Sequence, residues 1–152
     1  MGFLKNLWRG TFQPSATDYC CEGETCLAQG DYNEAITDFS EAIRLDPTDP
    51  VSYLDRGLAY EEEGQYQEAI SDYDITLRLD PANAAAHLHR GNAYFAQDDF
   101  DRAIFDYAAA IHLNPFLAKA YFYRGLAYEQ KGEMAKAKAD RTKARLLDPT
   151  LN

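Results

Sequence analysis

Three histidines, three cysteines and a pair of adjacent acids are the side chains of this sequence best placed to do chemistry. His87 and His89 stand two residues apart. On a helix that spacing is about 200° around the axis, so the two imidazoles leave different faces and cannot share a metal ion. His87 replaces a tyrosine of a repeated core column and reads as a packed residue, and His112 falls on a different helical run. Cys20 and Cys21 are adjacent, while Cys26 occupies a core tyrosine column, so the three thiols diverge. No Cys-x-x-Cys pair is present, and an odd, clustered set does not read as a disulfide framework. A reducing, cytoplasmic compartment is the simpler expectation. Asp98 and Asp99 fall between helical runs and read as a capping turn. No G-x-S-x-G, H-E-x-x-H or phosphate-binding glycine loop occurs. The sequence predicts no enzyme, no metal and no cofactor.

Other charged residues are regular. Arg56, Arg90 and Arg124 recur every 34 residues, and so do Asp38, Asp72, Asp106 and Asp140. The position equivalent to the arginine in the first stretch holds Glu22. Pairing each aspartate with the arginine of the following stretch leaves Glu22 without a conflict, whereas pairing inside a stretch sets Glu22 against Asp38. The expectation is therefore a ladder between units, Asp38–Arg56, Asp72–Arg90 and Asp106–Arg124. Its role is registry, since a partly exposed ion pair contributes roughly 0–1 kcal/mol.

The elements that must position these residues share the same period. Gly23, Gly57, Gly91 and Gly125 are 34 apart, as are Ala35, Ala69, Ala103 and Ala137, and Pro47, Pro81, Pro115 and Pro149. Four units follow without insertion: 16–49, 50–83, 84–117 and 118–151. In the second, Asp49 caps a helix that begins at Pro50, where the missing N–H costs nothing. Tyr53, Gly57 and Tyr60 share one face, and Gly64 ends the helix. Tyr66, Ala69, Ile70, Tyr73 and Leu77 mark a second amphipathic helix. Asp80-Pro81 stops it.

This pattern resembles the tetratricopeptide-repeat (TPR) family, whose unit is a 34-residue helix–turn–helix. The residues that carry the resemblance are Tyr53, Gly57, Tyr60, Ala69, Tyr73 and Pro81, with His87, Gly91, Tyr94, Ala103, Tyr107 and Pro115 in the third unit; the whole covers residues 16–151. It implies an all-α fold, a right-handed superhelix of four repeats, whose first helices line a concave groove that binds a protein or peptide partner as an adaptor or assembly scaffold. Groove positions are then Cys20, Cys21, Glu24 and Leu27 in unit one; Val51, Leu54, Asp55, Leu58 and Glu61 in unit two; Leu88, His89, Asn92 and Phe95 in unit three; and Lys119, Phe122, Tyr123, Leu126 and Glu129 in unit four. The core does not need them, yet many are large and apolar, as at an interaction site. Asn92 reads as a backbone-binding amide.

Some TPR co-chaperones clamp an acidic chaperone tail with lysines, asparagines and an arginine. The matching positions here are Cys20, Glu24, Asp55, Ala85 and His89 in units one to three, or Leu54, Leu58, His89, Lys119 and Tyr123 in units two to four. Lys119 alone fits, so the tail-binding role is disfavoured. A partly apolar, possibly basic segment suits the groove better.

Net charge supports this. The 152 residues carry a formal charge of −10. Residues 14–130 hold 22 acidic and 7 basic side chains, a net of −15, and residues 131–152 hold 3 acidic and 6 basic, a net of +3. Such a chain does not bind nucleic acid, which needs a positive field. In the fourth unit the apolar columns Ile36/Ile70/Ile104, Phe39/Tyr73/Tyr107 and Ile43/Leu77/Ile111 continue as Lys138, Arg141 and Arg145, either the polar outer face expected of a terminal repeat or a basic docking patch for an acidic partner or for the acidic middle of another copy in a self-assembling scaffold. Residues 1–15 form a short amphipathic segment, with Phe3, Leu4, Leu7 and Trp8 beside Lys5 and Arg9. Three fates are open to it: a cap on unit one, docking in a groove of its own or another copy to build homo-oligomers, or weak contact with a membrane surface.

Overall fold

Caps and prolines punctuate the chain into eight α-helices among residues 13–151, the part of the computed structural model described. They are α1 Ala16–Gln29, α2 Tyr32–Leu45, α3 Pro50–Glu62, α4 Tyr66–Leu79, α5 Ala84–Ala96, α6 Phe100–Leu113, α7 Ala118–Gln130 and α8 Met134–Leu147. A helix start leaves backbone N–H groups without partners, and the sequence supplies acceptors. Ser15 Oγ accepts from Asp18 N at 3.2 Å, and Asp18 accepts in return from Ser15 N at 2.8 Å. Asp49 accepts from Val51 N and Ser52 N at the head of α3, ahead of Pro50. Asn83 accepts from Ala86 N at the head of α5.

The turn inside each hairpin needs one residue in the left-handed region. Gly30, Gly64 and Gly132 fill that place at φ 82°, 73° and 76°, and Asp98 fills it at φ 59°. Its neighbour Asp99 does cap α6, accepting from Arg102 N at 3.1 Å. The second helices stop where Asp46, Asp80, Asn114 and Asp148 turn extended ahead of a proline, as the crowding of the proline ring requires.

Each helix packs on the next along the chain. In addition α1 touches α3, α3 touches α5 and α5 touches α7, whereas the even-numbered helices do not meet one another. The layer of closer helices is the inner wall of an all-α helical-repeat superhelix, and α2, α4, α6 and α8 form its outer wall. The core between the layers is built of alanines that let helices approach, with Phe39, Tyr73 and Tyr107 fully buried between them. Those rings lie directly on the glycine column: a Cβ at Gly23, Gly57 or Gly91 would stand 2.6–2.7 Å from them.

The ion-pair ladder has a different register from the expected one. Arg56 Nε and Nη2 both donate to Asp72 at 2.7 Å. Arg90 grips Asp106 at 2.8 and 2.7 Å, and Arg124 grips Asp140 at 2.7 and 2.8 Å. All three forks lie within a hairpin, across the antiparallel pair. The remaining nitrogen reaches the preceding hairpin instead: Arg56 Nη1 donates to Ser40 at 3.0 Å and Arg90 Nη1 to Asp74 at 2.6 Å. The planar fork explains the preference. Two parallel N–H bonds to one carboxylate need a partner facing the guanidinium edge squarely, and the hairpin supplies that geometry. In the first hairpin the thiol of Cys26 approaches Asp38 at 3.8 Å.

At the far end, Lys138 and Arg145 are exposed, and Arg141 donates to Glu129 at 2.6 Å where Tyr73 and Tyr107 are fully buried. The expectations for Phe3, Leu4, Lys5, Leu7, Trp8 and Arg9 fall outside the described residues.

Candidate partner-binding groove

Because α1, α3, α5 and α7 form the inner wall, the residues they present in 34-residue columns are the candidate site. One column runs Cys20, Leu54, Leu88, Phe122. Leu54 and Phe122 are half-buried, but Leu88 is only 5% exposed and joins the core cluster of Ala103, Tyr107, Ala110, Ala120 and Ala127. Leu88 is thus a packing residue of this cluster, against which Phe95, Tyr94 and Tyr123 also pack. Val51 stands at the edge, 49% exposed, and Lys119 is exposed at the head of α7. Leu58 and Leu126, one column over, are half-buried and flank Asn92.

The floor is organised by hydroxyls that arrive from the outer layer. Tyr73 passes over Gly57 and donates to Glu61 Oε2 at 2.7 Å, and His89 Nδ1 stands 3.2 Å from the same oxygen. This joins the second and third hairpins across the groove. Burial, reinforced by Glu61, pushes the Tyr73 hydroxyl far above its usual range, so it stays a donor. Tyr107 donates to Asn92 Oδ1 at 3.0 Å. With its oxygen so occupied, the amide keeps its two N–H donors outside any hydrogen bond among the described residues. Tyr123 stacks on Tyr107 with centroids 6.1 Å apart, and Phe122 meets Tyr123 edge-on at 5.5 Å. Phe95 turns toward Phe100 of α6 at 5.3 Å.

The 34-residue period marks Tyr73 and Tyr107 only as members of an apolar column. For two hairpins the sequence carries a signal in residues twelve apart, an inner acid matched by an outer donor: Glu61 with Tyr73 and Glu129 with Arg141. Leu27 and Phe39 are both apolar, whereas Phe95 stands twelve before Tyr107 and that hydroxyl turns to Asn92 instead.

Asp55 is the odd member of the floor. It is half-buried, and burial raises its carboxyl to about 6, with Glu24 and Asp49 adding repulsion. A carboxylate whose folded value is raised destabilises the fold when ionised. The penalty is fully present above about pH 6 and gone below the ordinary value of 3.8. Asp55→Asn should therefore stabilise the protein at pH 7.5 by about 1–2 kcal/mol after allowance for its partial exposure. The gain should shrink to nothing near pH 4. Urea denaturation at the two pH values measures it, and an equal effect at both would contradict the assignment.

Cys20, Cys26 and His87 are each engaged within the fold. Cys20 Sγ lies 3.0 Å from Ser52 Oγ, and burial above all raises both the Cys20 and Cys26 thiols. Raised thiols are poor nucleophiles at neutral pH. His87 Nδ1 stands 2.8 Å from Asp106 Oδ1, which Arg90 also holds. No group of three or more metal-ligating side chains converges among the described residues. None of their helices is long and apolar enough to cross a membrane.

A "TPR repeat" family model matches residues 23–64, and a "Tetratricopeptide repeat" model matches 54–116 and 91–141. No curated protein matches the chain in sequence. Among solved structures, it is similar to MamA, at 28% identity over 89% of this chain and 79% of that one, with a TM-score of 0.84. MamA 41-end from Desulfovibrio magneticus RS-1 is 28% identical over 91% of this chain and 78% of that one, TM-score 0.83. The first TPR of Spaghetti (RPAP3), solved bound to the HSP90 peptide SRMEEVD, is 26% identical over 82% of this chain and 91% of that one, TM-score 0.69.

Proposed function

The chain belongs to the tetratricopeptide repeat family, and from that premise we propose that the groove lined by α1, α3, α5 and α7 holds a short, partly apolar segment of another protein. The observation that carries this reading is the floor itself. Leu54, Leu58, Phe122 and Leu126 are only half-buried on the inner wall, and Asn92 is fixed by Tyr107 with its N–H donors free for a peptide carbonyl. Apolar side chains flanking an oriented amide suit an extended or helical segment, whose side chains enter the columns while its backbone meets the amide. The work is recognition rather than catalysis, in an adaptor or scaffold. The cytoplasm suits three cysteines that form no disulfide.

The similar RPAP3 repeat holds SRMEEVD, a peptide with three acidic residues. This groove presents Glu24, Asp55 and Glu61 to its occupant, so we assign it a segment of different charge from such a tail.

The groove variant Leu58→Ser with Leu126→Ser removes apolar surface without adding charge and leaves buried Leu88 intact. Affinity capture from lysate, followed by mapping of the captured protein to a short peptide, should give a segment that binds the wild type and binds this variant at least ten-fold more weakly. Equal binding by a variant shown folded by circular dichroism would remove the site from the groove.

A further inference from the structure

We propose that the first half of the groove seats a cationic side chain of the partner segment, a lysine or arginine, on Asp55. This rests on the groove reading above and adds the chemistry and place of one contact.

Asp55 lies on α3 in the inner wall, within electrostatic range of Glu24 on α1 and of Asp49 at the start of α3. Its carboxylate takes part in no hydrogen bond or ion pair among the described residues. Two other inner-wall acids are engaged, Glu61 by Tyr73 and His89, and Glu129 by Arg141, while Glu24 is exposed. The cations of the groove are committed or distant. His89 is held at Glu61, and Lys119 sits at the head of α7, two hairpins away. Arg56, the neighbour in sequence, has its fork on Asp72 and its third nitrogen on Ser40. A half-buried carboxylate beside like charges is a poor arrangement for an empty site and a good one for a cation, because the incoming charge removes the repulsion as it gains its own attraction. Leu54 and Leu58, half-buried on either side of it in the chain, offer apolar surface to the methylene stem of such a side chain. The occupant is therefore an amphipathic segment with its positive group toward α1 and its apolar part toward Phe122 and Leu126.

The test is a random 12-residue peptide library displayed on phage and selected on the full chain. Wild type should enrich apolar peptides that carry a lysine or arginine. For a selected synthetic peptide, changing that residue to glutamine should weaken binding to wild type about ten-fold and leave binding to the Asp55→Asn protein unchanged. Glu68→Gln, which removes a charge from exposed α4, should behave as wild type and so separate a local contact from the general acidic field. Peptides without cationic enrichment, or an equal loss on wild type and Asp55→Asn, overturn the Asp55 contact. If those same peptides still lose affinity for the Leu58→Ser, Leu126→Ser protein, the groove reading stands. Peptides that bind that protein as well as wild type, or an empty selection, overturn both.

Discussion

Replacing Gly91 with alanine will lower stability by about 2 kcal/mol, while the same change at Gly125 will stay within about 0.5 kcal/mol of neutral. Both glycines sit in the middle of inner helices, where alanine is ordinarily better by roughly 1 kcal/mol. At Gly91 the added carbon would lie 2.7 Å from Tyr107 Cε1 and 2.9 Å from Cδ1. That ring cannot retreat. It is fully buried, its hydroxyl is bonded to Asn92 and its face is stacked on Tyr123. Overpacking of this kind costs about 1–3 kcal/mol, and so severe a clash belongs at or beyond the upper end, outweighing the gain in propensity. At Gly125 the nearest atom is Arg141 Cγ at 3.1 Å, part of a flexible side chain, with Ala137 O at 3.3 Å. A small shift of that arginine accommodates the methyl group. Urea denaturation of the two variants makes the comparison, and equal losses at both sites would mean that the ring is not what forbids the Cβ.

Arg90→Ala should cost about 2–4 kcal/mol, whereas Asp74→Ala should cost less than about 1 kcal/mol. Asp106 is 1% exposed, and losing the partner of a buried charge is expensive. His87 remains beside it, which keeps the loss below the worst case. Asp74 is 54% exposed, so its bond to Arg90 is a surface ion pair of small value. Burial by itself would raise the Asp106 carboxyl, but hydrogen bonds from Arg90 and His87 pull it below the usual carboxylate value. A depressed folded value stabilises the protein above the ordinary carboxylate range, and that contribution disappears as pH falls through the folded value. The gap between wild type and Arg90→Ala should therefore be full at neutral pH and close in strong acid. If Asp74→Ala proved as damaging as Arg90→Ala, the ladder would act between hairpins after all.

The period, the caps and the glycine and aromatic columns were legible because each is a local demand that recurs from hairpin to hairpin. Asp49 ahead of Pro50, or a proline after each second helix, states its reason within a few residues. The ladder register was not legible. Arginine and aspartate columns with the same period are compatible with pairing inside or between hairpins, and Glu22 by itself favours pairing between them. What decided it was the shape of the guanidinium, which serves one carboxylate in its own hairpin and spares a nitrogen for Ser40 or Asp74. Depth within a column was hidden too. Leu54, Leu88 and Phe122 look equivalent in sequence, yet Leu88 alone among them is buried in the core cluster. The column of Asp55 marks it as a groove residue, but its lack of a cationic partner beside Glu24 and Asp49 depends on which neighbours turn toward it, and spacing carries no such information.

Among the described residues, no helix packs against one more than two places along the chain. The contacts between these helices are therefore complete soon after their residues leave the ribosome, and a nascent chain can lay down one hairpin on the last without waiting for a distant helix. Assembly in that order keeps exposed apolar surface to a single growing edge. It closes when α8 arrives with Lys138 and Arg145 where earlier hairpins carry isoleucine or leucine.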